Sequence, residues 1–427
     1  MVRFTRGCLY VCNVRLLVSA YSCDPTRGGE PSHGWNCAYY NAKWGNEVWC
    51  FTTTQGKTDI EEHLRREPLD KLHIVFVEMP QWLNRVKAKS PQIGLYFHYL
   101  YWQYKAYRTA KKIDWLVDFE LVHHISYSSL QLGSFLWKLR KPMLFGPMGG
   151  GQTAPRAFKE YFKSDWRKER LRDAISFLLL NVLRIPVRTL QHADLTLTTN
   201  ADTQAMAQRY GARRLASYPD TLLPEAFFPK ERPVKEPQPT LRILWVGRII
   251  ARKGLLLALE ALAQVDKAVP VHLTIIGDGP FGVYVPTWIE QLGIRDRVTW
   301  LGYQPFVKVR EAYAAHDVFA FTSLRDTAGA QLAEAAAFGL PVVTLDHHGA
   351  AVNVTDKTGI KVRVTTPAET TAGLSQAFTL LQRDPGLREQ LGKNAFQHAR
   401  KFAWPHSIKE INQFYQQVVG VAAAPAE

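Results

Sequence analysis

Short apolar runs alternate with amphipathic stretches along most of the chain, which is the pattern of a parallel sheet covered by helices. In the first half these runs are bounded by turn residues, and they predict strands at 14–20, 48–53, 73–78, 121–126, 143–146 and 195–199. The pattern restarts near residue 240, with predicted strands at 241–246, 271–276 and 298–301 and predicted helices at 254–265 and 285–292. We therefore expect two doubly wound α/β units.

A strand–helix–strand unit at 318–345 organises the second half. It has a predicted strand at 318–322, a polar turn at 323–327 and an alanine-rich helix from about residue 328. Gly339 and Pro341 end that helix, and a second strand follows directly. In a right-handed βαβ unit the helix N-terminus lies at the carboxyl edge of the sheet. We therefore expect the free N–H groups of residues 327–331 to form an anion site.

Five prolines between residues 224 and 239 predict a stiff linker between the two units. They divide the chain into an N-terminal domain, residues 1–228, and a C-terminal domain, residues 229–404. A last helical stretch follows the strands of the second unit, and we expect residues 405–427 to pack back on the N-terminal domain. Ligands of such sheets bind beyond the carboxyl ends of the strands, so the expected site is a cleft between the domains.

Charge and cysteine content narrow the possible partners and compartment. The chain has 53 Lys and Arg against 38 Asp and Glu, and the resulting charge of +15 indicates an anionic partner: nucleotide phosphate, nucleic acid or an acidic membrane surface. No apolar run reaches the roughly 18–20 residues of a spanning helix. All five cysteines lie in the first 50 residues without an evident pairing, which favours a reducing compartment such as the cytoplasm.

Two carboxylates accompany the predicted anion site. Asp326 lies in the turn and Glu334 lies two helical turns further on. A carboxylate beside bound phosphate is unfavourable because like charges repel, so its presence needs another role. Accepting O–H bonds from sugar hydroxyls is such a role. The alternative is that Asp326 caps the helix and Glu334 is solvated.

Cations and glycines supply further candidates for phosphate binding. Arg248 and Lys253 follow Gly247 around a turn into a helix, where they can stabilise the growing charge of a departing diphosphate. A basic surface turn is the alternative. Gly28 and Gly29 follow the first strand, and paired glycines let the backbone approach a phosphate, although most such pairs are turns.

His123 and His124 lie on the predicted strand 121–126. Because strand side chains alternate, one points to each face of the sheet. A histidine at the cleft can bond to a sugar or polarise a hydroxyl. The alternative is a histidine satisfied within the core. A glycine cluster at 146–151 ends the next strand and is expected to line the acceptor side.

These motifs together resemble the retaining, two-Rossmann (GT-B) glycosyltransferases of family 4. Gly247, Arg248 and Lys253 match the family's G-R-x4-K turn, which binds the donor diphosphate. Glu334 matches the second Glu of its E-x7-E motif, which holds the donor ribose. The first Glu contacts the donor sugar and is replaced here by Asp326, which is one methylene shorter.

The resemblance implies a site for this chain. The implied catalytic residues are His124, His123, Asp326, Arg248 and Lys253. The implied donor-binding residues are Gly28, Gly29, Gly247, Arg248, Lys253, Asp326, Thr327, Ala328 and Glu334.

The resemblance also implies a reaction. A sugar passes from a nucleotide diphosphate, with UDP favoured over GDP, to a hydroxyl of a glycan or lipid-linked acceptor in polysaccharide biosynthesis. Transfer is by front-face displacement and is not expected to require a metal. A sugar-nucleotide epimerase or hydrolase of the same fold is an alternative. The Asp326 departure leaves open a non-catalytic subunit that binds sugar nucleotides.

Two basic, aromatic stretches at 82–112 and 156–172 remain. Cations beside interfacial aromatics are typical of docking on an anionic membrane, here the inner face of the plasma membrane. The alternative is that the aromatic residues form core and the cations a solvated face. Nucleic acid is not an expected partner, because the charge does not follow any known nucleic-acid-binding module.

Overall fold

A computed structural model describes residues 13–89, 93–236 and 238–422. Its strands are β1 (Arg15–Ala20), β2 (Glu47–Thr52), β3 (Leu72–Phe76), β4 (Leu121–Ser126), β5 (Met143–Met148), β6 (Leu195–Thr198), β7 (Leu215–Ser217), β8 (Leu241–Val246), β9 (Val271–Ile276), β10 (Val298–Trp300), β11 (Val318–Phe321), β12 (Val342–Leu345) and β13 (Gly359–Val362).

The helices alternate with these strands. They are α1 (Glu30–Trp44), α2 (Lys57–Arg66), α3 (Gln81–Lys89), α4 (Ile93–Val117), α5 (Lys159–Phe162), α6 (Asp165–Leu178), α7 (Ile185–His192), α8 (Ala201–Arg209), α9 (Leu255–Gln264), α10 (Val285–Gln291), α11 (Phe306–Ala315), α12 (Ala330–Ala337), α13 (His348–Asn353), α14 (Pro367–Arg383), α15 (Pro385–Ala399) and α16 (Trp404–Ala422).

Two parallel sheets confirm the predicted pair of Rossmann-like units. The first has the order β3-β2-β1-β4-β5-β6-β7 and the second the order β10-β9-β8-β11-β12-β13. Both orders reverse beside the first strand of their sheet, which is where ligands of doubly wound folds bind. The central strands β4 and β11 are buried along their whole length, because helices cover both faces of each sheet. The domain limits at residues 228 and 404 stay predictions.

The last helix packs on the first sheet. Trp404, Ile408, Ile411, Tyr415 and Val418 recur at helical spacing, and all are buried in the core cluster that contains the first-sheet strands. Polar contacts across the same interface include the bond from the Asn46 Nδ2 to the Asn412 Oδ1 at 2.8 Å. α16 therefore fills a face of the N-terminal sheet although it comes last in sequence.

The two chain segments that cross between the domains run side by side. The Leu223 N–H donates to the Phe402 carbonyl oxygen at 2.8 Å, and the Trp404 N–H donates to the Leu223 carbonyl oxygen at 3.1 Å. The prolines of the first segment limit its own hydrogen bonding. The two hydrogen-bonded segments therefore form one double-stranded connection between the domains.

The basic, aromatic stretch at 156–172 lies largely against the second domain. Phe158 and Phe162 are fully buried in the core of the C-terminal sheet, and Trp166 packs against the same core. The Lys163 ammonium lies 3.5 Å from the Tyr284 ring centroid. The interpretation of these aromatic side chains as a membrane surface is therefore wrong, since they join the two domains instead.

None of the helices within the described residues combines the length and hydropathy that a bilayer-spanning segment needs.

Candidate active site

A cavity of about 980 Å³ lies between the carboxyl ends of the two sheets. Its N-terminal wall comes from the loop after β1 and the start of α1, and its C-terminal wall from the turns after β8 and β11 and the start of α12. The predicted site residues that line it are Gly28, Gly29, Lys253, Asp326, Thr327, Ala328 and Glu334. Residues far apart in sequence thus face one another across one space.

An ion pair joins the two turns of the C-terminal wall. The Lys253 Nζ lies 2.5 Å from the Asp326 Oδ2, and an Arg252 Nη1 lies 3.4 Å from the same oxygen. Burial acts to raise the pKa of Asp326, but the attraction of Lys253 and Arg252 outweighs it and lowers the pKa to about 2. Asp326 is therefore ionised at neutral pH and holds both cations at the cavity wall.

Close backbone packing fixes the position of Lys253. The residue ends a 3₁₀ turn, Ala251–Lys253, which Gly254 closes with a φ of 63°. A Cβ at Gly254 would lie 2.1 Å from the Thr322 carbonyl oxygen, so only glycine allows this approach of the β8 and β11 turns. The Leu324 N–H also donates to the Arg252 carbonyl oxygen at 2.8 Å.

Glu334 lies on α12 with its carboxylate at the cavity. The hydroxyl of Tyr313, a buried residue of α11, donates to the Glu334 Oε2 at 2.8 Å. Burial raises the pKa of Glu334, while the Tyr313 bond and the charge of Lys253 oppose that change. One carboxylate oxygen is thus held from behind, which leaves the other able to accept bonds from a ligand.

The start of α12 lies between the domains. The helix begins at Ala330 rather than at the predicted residue 328, and Gly329 at its N-cap has a φ of 79°. A Cβ there would lie 2.6 Å from the Phe321 ring. Just before this turn, the Thr327 Oγ1 accepts from the Gln152 amide at 2.8 Å, and its carbonyl oxygen accepts from Asn200 at 3.0 Å. The N-terminal end of α12, the predicted anion site, is therefore held by residues of the N-terminal domain.

The glycine loop faces this helix end from the other domain. Gly29, with a φ of 71°, is the N-cap residue of α1, and a Cβ at Gly28 or Gly29 would meet no atom within 4 Å. The next residue, Glu30, accepts from the Ser128 N–H at 2.6 Å. The loop therefore presents backbone to open space, as phosphate binding requires.

Four of the predicted residues do not line the cavity. His123 and His124 are fully buried in β4. His123 bonds the Tyr415 hydroxyl at 2.8 Å and the Gly146 carbonyl oxygen at 2.7 Å, while His124 bonds Tyr99 and Ser19. Both are satisfied core histidines, because α16 and α4 cover the two faces of this central strand.

Gly247 and Arg248 also lie apart from the cavity lining. The Gly247 N–H donates to the Ile276 carbonyl oxygen at 3.0 Å, and its own carbonyl packs against Gly277. Arg248 is exposed at the beginning of the loop. Arg252, one residue before Lys253, lines the cavity instead.

Titratable residues outside the predicted set also line the cavity, among them Arg27, Glu30, His33, Asp220 and Arg252. His33 lies in the first turn of α1, is 4% exposed and has no hydrogen-bond partner at either ring nitrogen. Burial, with a smaller contribution from His123, lowers the pKa of His33 to about 3. Its place four residues after Gly29 was the available signal.

Asp220 follows the short edge strand β7. Burial, opposed by the Thr221 hydroxyl, raises the pKa of Asp220 to about 6. That strand has only three residues, which is too few for a pattern of alternation, so the sequence carries no signal for this carboxylate.

Metal ligands are not grouped near the cavity. Among the described residues, no three His, Cys, Asp or Glu side chains lie close enough together to hold a metal ion.

Part of the chain is similar in sequence to known glycosyltransferases. Residues 227–398 match the family described as glycosyl transferases group 1. The D-inositol 3-phosphate glycosyltransferase of Gordonia bronchialis is 30% identical over 194 residues, which are 43% of this chain and 41% of that protein. The putative colanic acid biosynthesis glycosyltransferase WcaL of Escherichia coli is 36% identical over 125 residues, 28% of this chain and 31% of its own. The chain spans about two fifths or less of the length of these curated relatives.

Solved structures share the fold over nearly the whole chain. HepE of Anabaena, in complex with UDP, gives a TM-score of 0.61 at 17% identity and covers 94% of this chain and 100% of its own. Sucrose-phosphate synthase of Thermosynechococcus elongatus gives a TM-score of 0.63 at 18% identity and covers 95% and 99%. Residues 227–398 therefore match the glycosyl transferases group 1, and the described residues have the GT-B fold of two Rossmann-like domains.

Proposed function

We propose that this chain is a retaining glycosyltransferase of family 4 that moves a sugar from a nucleotide diphosphate to a hydroxyl of a glycan or lipid-linked acceptor. The observation that carries the proposal is one cavity in which the Lys253–Asp326 pair, the Glu334 carboxylate and the Gly28–Gly29 loop face one another. A nucleotide sugar presents ribose hydroxyls, a diphosphate and a sugar along its length. The cavity offers a group of suitable chemistry for each part.

Each part of the nucleotide-sugar donor has a proposed contact with residues of the cavity. Glu334 accepts the ribose hydroxyls, since one of its oxygens is held by Tyr313 and the other is available. The diphosphate lies between Lys253, the start of α12 and the glycine loop, where an ammonium and backbone N–H groups stabilise negative charge. Asp326 bonds the sugar through water or through Thr327. UDP is the favoured nucleotide, because HepE of Anabaena, a structural neighbour, was solved in complex with UDP-glucose.

The proposed step is a front-face displacement. The acceptor hydroxyl oxygen forms a bond to the anomeric carbon as the bond from that carbon to the diphosphate oxygen breaks. The electron pair of the broken bond stays on the diphosphate, and the acceptor proton passes to a phosphate oxygen on the same face. Lys253 and Arg252 stabilise the charge that grows on the leaving group. Stabilisation of developing charge by fixed charges is commonly the largest single contribution to the rate of such a step.

The structure suggests no donor contact for His123, His124, Gly247 or Arg248, and the proposal gives them none. Action in the cytoplasm is part of the proposal, because the described thiols of Cys23, Cys37 and Cys50 are buried and unpaired. The domain limits at 228 and 404 are likewise proposed, with residues 405–427 assigned to the N-terminal domain.

Donor binding and product analysis test the proposal together. Stabilisation against heat is measured with a panel of nucleotide sugars, where a donor at 100 times its Kd adds about 2.7 kcal/mol to the unfolding free energy. Glu334→Ala should remove most of that stabilisation, while Glu369→Gln, an exposed carboxylate change on α14, should leave it intact. Turnover without acceptor would favour an epimerase or hydrolase. Donor binding without any turnover across an acceptor panel would favour a non-catalytic subunit.

A further inference from the structure

The outer face of α3 and α4 and the end of α6 carry exposed apolar side chains among cations. We propose that this face docks the chain on an anionic lipid bilayer, so that a second cavity between α4 and α6 receives the head group of a lipid-linked acceptor. The inference rests on the proposed function, because it names the class of acceptor for the same reaction.

The apolar part of the face begins with a stripe on α4. Phe97, Tyr101 and Tyr104 recur at spacings of four and three residues, and they are 61%, 37% and 46% exposed. Trp82 of α3 is 60% exposed and meets the Tyr101 ring edge-on at a centroid distance of 6.5 Å. Other aromatics of α4, such as Trp102, are fully buried, so the exposed rings form a distinct outer row.

The same segment carries charge of one sign. Residues 81–113 contain seven Lys and Arg and no Asp or Glu. Arg85 and Lys89 are exposed on α3, and the exposed Arg108 donates to the Tyr104 hydroxyl at 3.0 Å. Rings that enter the head-group region, with cations beside them that meet lipid phosphates, are the pattern of an interfacial helix.

A second apolar group extends this face from α6 into the π-helical turn Leu179–Leu183. Its members lie on or just beyond α6 and are 47–65% exposed: Leu171, Phe177, Leu178, Val182 and Leu183. Residues 174–193 also contain no Asp or Glu. The cations of α6 itself are paired, since Lys168, Arg170 and Arg172 lie beside Asp165, Asp173 and Glu169. The uncompensated positive charge lies on the 81–113 segment and, beyond α6, at the exposed Arg184 and Arg188. Apolar side chains beside such charge are complementary to an anionic membrane rather than to an average protein surface.

The second cavity links the two groups. It has a volume of about 190 Å³ and is lined by Tyr96 of α4 and by Ile175 and Leu179 from the end of α6. Tyr96 directly precedes the exposed Phe97, and Leu179 directly follows the exposed Leu178. The cavity is therefore lined by the same two helical segments that carry the exposed apolar side chains.

The inner end of this cavity is polar and adjoins the donor cavity. Ser128, Ser129 and Thr327 line both spaces. Gln131 and Arg172 also line the smaller one, and the buried Arg172 Nε has no hydrogen-bond partner, although it lies 3.6 Å from the Glu169 carboxylate. A hydroxyl-rich or phosphate-bearing head group would satisfy such donors. Its lipid chain would then leave past the apolar rim toward the bilayer.

Vesicle binding by the full chain tests the proposal. Sedimentation with phosphatidylcholine vesicles, with and without phosphatidylglycerol, should show binding to the anionic vesicles, weakened by high salt. The Phe97→Ser/Tyr101→Ser variant should weaken that binding at least tenfold. Tyr303→Ser, which changes a 79% exposed tyrosine in the other domain, is the matched control and should bind as the wild type does.

A measurement without substitution supports the same test. Hydrogen exchange should slow in α3 and α4 when anionic vesicles are added, and not in α10 or α11. Absent binding, equal binding to neutral vesicles, or an equal loss in the Tyr303 control would overturn the docking proposal. Donor-induced thermal stabilisation, measured without lipid, reports separately on the proposed function. Its absence alongside intact vesicle binding would count against the transferase and not against the membrane face.

Discussion

The Lys253 ammonium lies 2.5 Å from the Asp326 carboxylate, and together they join the two turns that form the C-terminal wall of the cavity. Lys253→Met should therefore affect both stability and function. Removing one member of a buried ion pair lowers the unfolding free energy by about 3 kcal/mol or more. Because Arg252, 3.4 Å from the same carboxylate, still compensates part of the Asp326 charge, we expect the unfolding free energy to fall by about 2 kcal/mol. Urea unfolding measures it.

The same variant should lower the transfer rate about 100-fold, because a fixed charge on the leaving group is lost. Lys308→Met, in an exposed ion pair on α11, is the control and should change neither quantity by much. Equal stability of the Lys253 variant and the wild type would show that the pair does not hold the two turns together.

The pH dependence of stability should report the Asp326 environment. Its pKa of about 2 in the folded chain lies below the usual value of 3.8, so the folded state releases this proton more readily than the unfolded state. The resulting stabilisation is fully present above about pH 4 and is lost as the pH falls through 2. It amounts to about 2 kcal/mol. Asp326→Asn should lack this component when unfolding free energies are compared between pH 5 and pH 2.

Two arginines of one loop should differ in their effect on the donor. Arg252 lines the cavity and contacts Asp326, whereas Arg248 is exposed outside it. We expect Arg252→Ala to weaken the affinity for a nucleoside diphosphate about tenfold and Arg248→Ala to change it by less than about twofold. Calorimetric titration with UDP compares them. A larger loss from Arg248→Ala would mean that the loop rearranges when the donor binds.

His33 should contact the bound substrate. Its buried ring nitrogens have no hydrogen-bond partner in the described chain, which is a costly state unless a ligand or water satisfies them. Burial lowers its pKa to about 3, so it is neutral at pH 7 and carries one donor and one acceptor, as a sugar hydroxyl does. His33→Phe should lower the affinity for the sugar nucleotide about tenfold without affecting that for UDP alone. Equal losses for both ligands would place the contact on the diphosphate.

Much of the fold followed from the pattern of apolar runs. The strands at Leu121–Ser126, Leu241–Val246 and Val271–Ile276 were predicted with their observed bounds, and the other predicted strands differ by one or two residues at an end. The prediction missed β7 and β13, whose three and four residues are too few to show a period. It also did not include helices α14 and α15, which cover the second sheet after its last predicted strand. Sequence periodicity locates long elements well and short edge strands poorly.

The motifs predicted the positions of site residues only where spacing along the chain determines their arrangement at the edge of a sheet. Lys253 and Asp326 lie in turns that follow adjacent strands, and Glu334 lies on the helix after the second turn. All three therefore lie at the same edge of the second sheet, which brings them together. His123 and His124 could not be assigned in this way, because whether a strand residue faces a cleft or a covering helix depends on tertiary packing. In this chain both sheet faces at β4 are covered, one of them by α16 from the far end of the sequence.

That position of α16 has a consequence for synthesis. The apolar face it covers belongs to a sheet whose strands are all complete by residue 217, so some 190 residues must still leave the ribosome before the covering helix exists. The nascent N-terminal half exposes that surface throughout this interval and depends on chaperones or on transient compaction. Translation that stops before residue 404 should accordingly yield an insoluble fragment, even though every strand of the first sheet is present.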